Sequence, residues 1–297
     1  MTQIIRRLSD TGTRYRALFC DLWGCVHNGK TAFPEAVSAL QEFRAAGGKV
    51  ILVTNAPRPK TSVLRQLDTL GVPVDAWDDV ATSGDAAQYA LLTGTVGRRV
   101  HHIGPSPKDD AFFTDFAEDL EPVRAANPPI DRVDLDQAEG IVCTGPNDEF
   151  KEKPEDYRAA FLYAKTRGLK LLCANPDLVV DFGETRIYCA GALAQYYDRM
   201  GGESLYFGKP HPPIYDLARR RLAAHDGGIS DADILCVGDG IGTDIAGGEQ
   251  EGLDTLFLTE GLQAGEFGPP EQLDPARLEA FLAAQGRNPT LTMGFLR

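Results

Sequence analysis

Four segments of the chain end on residues whose types could do chemistry. Asp21 follows Ala17-Leu18-Phe19-Cys20 and opens Asp21-Leu22-Trp23-Gly24-Cys25-Val26-His27-Asn28-Gly29. Thr54 and Asn55 close Ile51-Leu52-Val53, and Lys209 stands in Phe207-Gly208-Lys209-Pro210 after a weaker apolar run. Asp239 follows Leu235-Cys236-Val237-Gly238 in a glycine-rich turn that also carries Asp244. An acid at the carboxyl end of a buried strand is costly unless it does chemistry. A carboxylate can attack phosphorus, splitting one hard hydrolysis into two easier steps. An ammonium such as that of Lys209 could neutralise an acid and a phosphate together in a dry site. Hard oxygen donors such as Asp21, Asp239 and Asp244 suit Mg²⁺. Gly24 lets the chain beyond Asp21 turn tightly and expose amides to a phosphoryl oxygen.

The elements that must position these groups alternate. Strand patterns cover about 17–22, 49–54, 233–237 and 253–258, and helical patterns follow Pro34 and cover about 59–70, 212–224 and 243–251. Such alternation predicts an α/β protein with a Rossmann-like, doubly wound parallel sheet, whose ligands sit at the carboxyl ends of the strands. The middle third reads as a separate unit, with strands about 99–103, 140–144 and 169–174, helices about 83–93 and 154–167, and an acidic, proline-containing stretch from Asp109 to Asp136. The expected division is therefore a core of 1–80 and 190–297 and an inserted, smaller α/β domain of 81–189.

This series of motifs resembles the haloacid dehalogenase superfamily, whose members are mostly phosphate-ester hydrolases. Ala174-Asn175-Pro176-Asp177 and Gly191-Ala192-Leu193 look like signatures of the subclass with a type-IIA α/β cap, which holds p-nitrophenyl phosphatases and pyridoxal phosphate phosphatases. The resemblance implies a Mg²⁺-dependent hydrolase of a small phosphorylated metabolite, with Asp21 as nucleophile and an aspartyl-phosphate intermediate. It further implies that the Thr54 hydroxyl, the Asn55 amide, Gly24 and Lys209 hold the phosphoryl group. The metal would be bound by Asp21, the Trp23 carbonyl and Asp239, with Asp244 in support.

One position departs from the family. The phosphatases carry a second aspartate two residues after the first, where this chain has Trp23. That aspartate protonates the leaving group, and such help is typically worth about 10²–10⁴ in rate. An indole N–H is only a donor and cannot replace it. His27, in the same loop, is the candidate substitute, since an unperturbed imidazole titrates near neutrality. Three other readings stay open: a non-catalytic phosphate-ligand-binding protein on the same fold, a dehalogenase-like hydrolase, and a nucleotide binder. The last arises because Gly24-Cys25-Val26-His27-Asn28-Gly29-Lys30-Thr31 fits the P-loop pattern. Pro34 weighs against it: as the first helical residue it leaves Lys30 and Thr31 in a loop.

The formal net charge of −13 argues against nucleic acid or an anionic membrane as the main partner, and requires a local cation for an anionic substrate. The six cysteines form no Cys-x-x-Cys pair, which reads as reduced, buried thiols in a cytoplasmic protein. No stretch has the apolar length of a signal peptide or a membrane span. The sequence leaves self-association into a homo-oligomer open.

Overall fold

The computed structural model describes residues 2–182 and 185–297. In chain order the first elements are β1 (Gln3–Ile4), β2 (Ala17–Cys20), α1 (Pro34–Ala45), β3 (Lys49–Thr54), α2 (Lys60–Leu70), β4 (Asp79–Thr82) and α3 (Ser83–Leu92). There follow β5 (Arg99–Ile103), α4 (Ala111–Thr114), α5 (Glu121–Ala126), β6 (Asp131–Arg132), β7 (Gly140–Cys143), α6 (Arg158–Thr166), β8 (Lys170–Cys173), β9 (Val179–Phe182) and β10 (Thr185–Tyr188). The chain ends with α7 (Ala190–Arg199), β11 (Glu203–Tyr206), α8 (Pro212–His225), β12 (Ile234–Gly238), α9 (Ala246–Gln250), β13 (Asp254–Leu258), α10 (Pro275–Gln285) and β14 (Leu291–Met293).

Two compact units result. The first holds Met1–Thr54, Leu64–Ala81 and Tyr215–Arg297, and the second Asn55–Val63 and Thr82–Ile214. The seven-stranded sheet of the first runs β1-β14-β13-β12-β2-β3-β4. Its order reverses between β2 and β12: the chain moves outward from β2 through β3 to β4 on one side, and from β12 through β13 to β14 on the other. That is the topological switch point at which α/β sheets place their ligands. β2 and β12 pair in parallel, with Cys20 opposite Val237, so both strands release the chain at the same edge. Buried from both sides, β2 reads Ala-Leu-Phe-Cys without alternation, as a central parallel strand must.

The second unit carries a five-stranded sheet, β11-β8-β7-β5-β6, and the antiparallel pair β9–β10. Its core gathers Phe161, Tyr197, Ile141, Leu171 and Leu193. The α/β architecture and the parallel core sheet match the expectation, whereas the expected boundary at 189/190 does not fall between the units. α7 and β11 belong to the second, because β11 pairs with β8 from Glu203↔Lys170 to Tyr206↔Cys173. The segment 55–63 joins it as well.

α1 begins at Pro34, whose fixed φ suits the first helical position. Lys30 and Thr31 therefore precede the helix. The Asn28 Oδ1 accepts from the Lys30 amide (3.0 Å) and the Thr31 amide (2.9 Å), which makes a side-chain-closed turn and no phosphate-cradling loop. The P-loop reading has no structural counterpart.

Candidate active site

The site is built where β2 and β12 end. Asp21 continues the ladder by one bond, its amide donating to the Val237 carbonyl at 2.8 Å, and then the chain leaves the sheet. The Leu22 carbonyl next collects the amides of Val26 (2.9 Å), His27 (3.1 Å) and Cys25 (3.4 Å), which winds residues 22–27 into a tight turn. Gly24 makes that turn possible. Its φ of 78° is in the left-handed region, and a Cβ there would collide with the Asp239 carboxylate.

The winding carries Cys25 back over the strand end. One donor atom each from Asp21, Cys25 and Asp239 lies within 4.8 Å of the others, and all three residues are buried. The Cys25 thiol donates to Asp239 Oδ1 at 4.0 Å, and the Leu262 amide donates to Asp239 Oδ2 at 2.9 Å. Burial, followed by the charges of Asp239 and Asp21, pushes the Cys25 thiol well above its ordinary range and keeps it protonated. The sequence reading had placed Cys25 only among the buried thiols. Its signal was weak: the fourth residue after a strand-terminal acid, next to a glycine able to turn the chain back.

Asp244 takes a different place. It lies in the π-helical turn Ile241–Ile245, where a helix had been expected from about 243. Its Oδ2 accepts from the Gly240 amide at 3.1 Å and from the Thr243 hydroxyl at 3.3 Å. Asp244 is thus a brace for the loop after β12 and is not one of the three side chains whose donor atoms converge.

Thr54 ends β3, one strand over from Asp21, and is buried. Asn55 and Lys209, both buried, come together within the second unit. The Asn55 side chain grips the Lys209 backbone twice, accepting from its amide at 2.7 Å and donating to its carbonyl at 3.0 Å. The same amide nitrogen also donates to Asp177 Oδ1 at 2.8 Å. Sequence reasoning gave Asn55 a backbone role; the structure shows its side chain fixing the Lys209 loop.

Trp23 and His27 form their own small assembly. The two rings meet edge to face, with centroids 5.7 Å apart, and a Cβ on Gly29 would overlap the Trp23 ring. The Gly29 amide donates to His27 Nδ1 at 3.1 Å, which leaves the neutral ring its proton on Nε2. Burial lowers the His27 pKa to about 4. A ring that is neutral at pH 7, with its basic nitrogen already engaged, is poorly suited to donate a proton to a leaving group. His27 belongs to the packing of the Trp23 loop, and the substitution for the missing aspartate expected of it lacks the required protonation state.

Comparison with known proteins places this arrangement. A family model described as haloacid dehalogenase-like hydrolase matches residues 18–115, and a second, HAD-hydrolase-like, matches 206–276. The crystal structure of a haloacid dehalogenase-like hydrolase from Brucella suis 1330 is 39% identical, covers 99% of this chain and 100% of its own, and superposes with a TM-score of 0.82. The ribonucleotide monophosphatase NagD of Escherichia coli K12 is 24% identical over 249 residues, 83% of this chain and 88% of that protein. A glycerol phosphate phosphatase from Mycobacterium tuberculosis, solved in complex with magnesium, shares the fold at 23% identity, with a TM-score of 0.67 over 99% of this chain and 78% of that one. Among the described residues, no helix is long and apolar enough to cross a membrane.

Proposed function

Because the chain belongs to the haloacid dehalogenase-like hydrolases, we propose that it is a Mg²⁺-dependent phosphatase that hydrolyses a phosphomonoester of a small metabolite through an aspartyl-phosphate on Asp21. The observation that carries this reading is the convergence of Asp21 and Asp239 at the ends of adjacent parallel strands, with donor atoms within 4.8 Å. At an effective dielectric of about 20, two carboxylate charges at that separation repel by roughly 3 kcal/mol. A bound cation offsets such repulsion, and the hard oxygen donors fit Mg²⁺. Mg²⁺, when bound, would be held by Asp21 and Asp239 and would offset charge on the phosphoryl oxygens.

The chain's own residues supply the rest. An Asp21 carboxylate oxygen attacks phosphorus, the bond to the ester oxygen breaks, and water then cleaves the acyl phosphate to return the carboxylate and release inorganic phosphate. Lys209, buried and fixed through its backbone by Asn55, supplies positive charge to the phosphoryl group, and Thr54 and the amides of the Gly24 turn supply donors.

Trp23 shapes the reaction. With an aromatic ring in place of the usual acid, and His27 held neutral, the leaving oxygen departs with little proton help. The favoured substrates are then esters whose leaving group is a weak base. The test is phosphate release with Mg²⁺ from an aryl phosphate series of graded leaving-group basicity and from a panel of phosphorylated metabolites. The expected result is a rate that falls steeply with leaving-group basicity and vanishes in Asp21→Asn. Release equal in the parent and Asp21→Asn would remove the phosphatase reading and favour a protein that binds phosphorylated ligands without turning them over.

A further inference from the structure

We propose that Cys25 makes the Asp21–Asp239 site a mixed carboxylate–thiolate site that captures a thiophilic divalent cation, Zn²⁺ or Cd²⁺, and is blocked by it. The inference rests on reading these two carboxylates as the metal site, and adds a third donor that the reaction itself does not use.

The geometry is close to what such an ion requires. With metal–sulfur and metal–oxygen bonds of about 2.3 and 2.1 Å in a tetrahedral site, the two donors stand roughly 3.6 Å apart. Cys25 Sγ and Asp239 Oδ1 are 4.0 Å apart, and Asp21 completes the group within 4.8 Å. A shift of about 0.4 Å between Cys25 and Asp239, and of up to roughly an ångström at Asp21, would close the shell. The donors are also restrained. The turn that carries Cys25 is wound onto the Leu22 carbonyl by three amides, and Asp239 is tethered through Oδ2 to the Leu262 amide, with its other oxygen towards the thiol.

Ligand softness then separates the ions. Mg²⁺ takes oxygen donors and makes no use of the thiol. Zn²⁺ and Cd²⁺ prefer sulfur. On their capture the S–H bond breaks, its proton goes to solvent, and a metal–sulfur bond forms with no change of oxidation state. The Asp21 carboxylate that should attack phosphorus is then held in a shell closed by the Cys25 sulfur, and turnover stops.

The test uses the metal-free full-length chain and Cd²⁺ as the probe, read by the thiolate-to-cadmium charge-transfer band in the ultraviolet, with Mg²⁺ affinity measured separately by calorimetry. The parent should develop the band with one Cd²⁺ per chain. Cys25→Ser should lose it and bind Cd²⁺ more weakly by at least about 10–100-fold, the loss seen when even an outer partner of a metal site is removed, while still binding Mg²⁺. Cys25→Val serves as a second variant if serine does not fold in so apolar a place. No band in the parent, or an unchanged band in both variants, overturns the proposal. Asp239→Asn keeps the two readings apart: undiminished Mg²⁺ affinity there would defeat the metal site itself, whereas weakened Mg²⁺ binding beside a silent Cys25→Ser would defeat only the thiol.

Discussion

The two larger sheets of this molecule are built alike and end differently. Each is a parallel sheet whose strands release polar residues at their carboxyl edge. In the first, the edge residues of β2 and β12 are carboxylates whose donor atoms converge with a thiol. In the second, Asn147, Thr144 and Asn175, which follow β7 and β8, are engaged in hydrogen bonds with nearby backbone amides and a ring nitrogen of β5. Asn147 Oδ1 accepts from the Gly104 amide at 3.1 Å, Thr144 Oγ1 bonds His102 Nε2 at 3.0 Å, and Asn175 Oδ1 accepts from the Asp177 amide at 3.0 Å. The fold offers the same edge twice, and at the first the Asp21 and Asp239 carboxylates converge with a thiol. Function follows the side chains placed on the edge, not the edge itself.

Substitutions can break this contrast, and the largest effects belong to the first edge. Asp239→Asn should lower kcat/KM by about 10²–10³-fold, the scale of losing one electrostatic stabiliser, and weaken Mg²⁺ binding in calorimetry. Thr144→Val, at the matching edge of the second sheet, should leave turnover as it is. A comparable loss from Thr144→Val would end the contrast.

Asn55→Ala tests the role proposed for Lys209. It removes two bonds that hold the Lys209 backbone and leaves a buried amide and carbonyl without those partners, each costing about 1–3 kcal/mol. Both the urea midpoint and kcat should fall. A fall in stability with kcat intact would detach Lys209 from the chemistry.

The two regions should also share a pH dependence. Burial lowers both His27, in the first unit, and His102, in the second, to about 4 from an ordinary 6.5. The folded protein keeps these rings neutral while the unfolded chain takes up protons below pH 6.5. Their contribution is complete above pH 6.5 and is lost as the pH falls towards 4, on the order of 3 kcal/mol for each ring. His27→Gln and His102→Gln should each flatten the fall in urea stability across that window. An unchanged slope in either variant would show that ring to be solvated.

The smallest effect sharpens the role of Trp23. Gly29→Ala adds a methyl group against the indole at a φ of 81°, and should cost about 1–3 kcal/mol of stability. If it costs nothing, the indole is not packed against Gly29.

The parts of this site that depend on one strand and its next residue were legible in the sequence. Asp21 and Asp239 end uninterrupted apolar runs, and a parallel sheet follows from the alternation of elements; that β2 lies beside β12 does not. What depends on contacts distant in sequence was not legible. The side chain of Asn55 meets Lys209 across 154 residues, and no local pattern announces that grip. Cys25 looks like any buried thiol until the turn on Leu22 brings it back to the strand end. His27 looks titratable because its type is visible and its burial is not. The unit boundary misled for a related reason: α7 and β11 have the local pattern of core elements, and only the pairing of β11 with β8 assigns them to the second sheet.

The central claim is that Asp21 becomes the phosphoryl carrier. Acid quenching during turnover of an aryl phosphate, followed by borohydride reduction and peptide mass spectrometry, reads that directly, since an acyl phosphate is reduced and a free carboxylate is not. The account predicts homoserine at position 21 in the parent during turnover, and an unreduced carboxylate at that position when substrate is withheld. Steady release of inorganic phosphate with Asp21 unreduced throughout would contradict it.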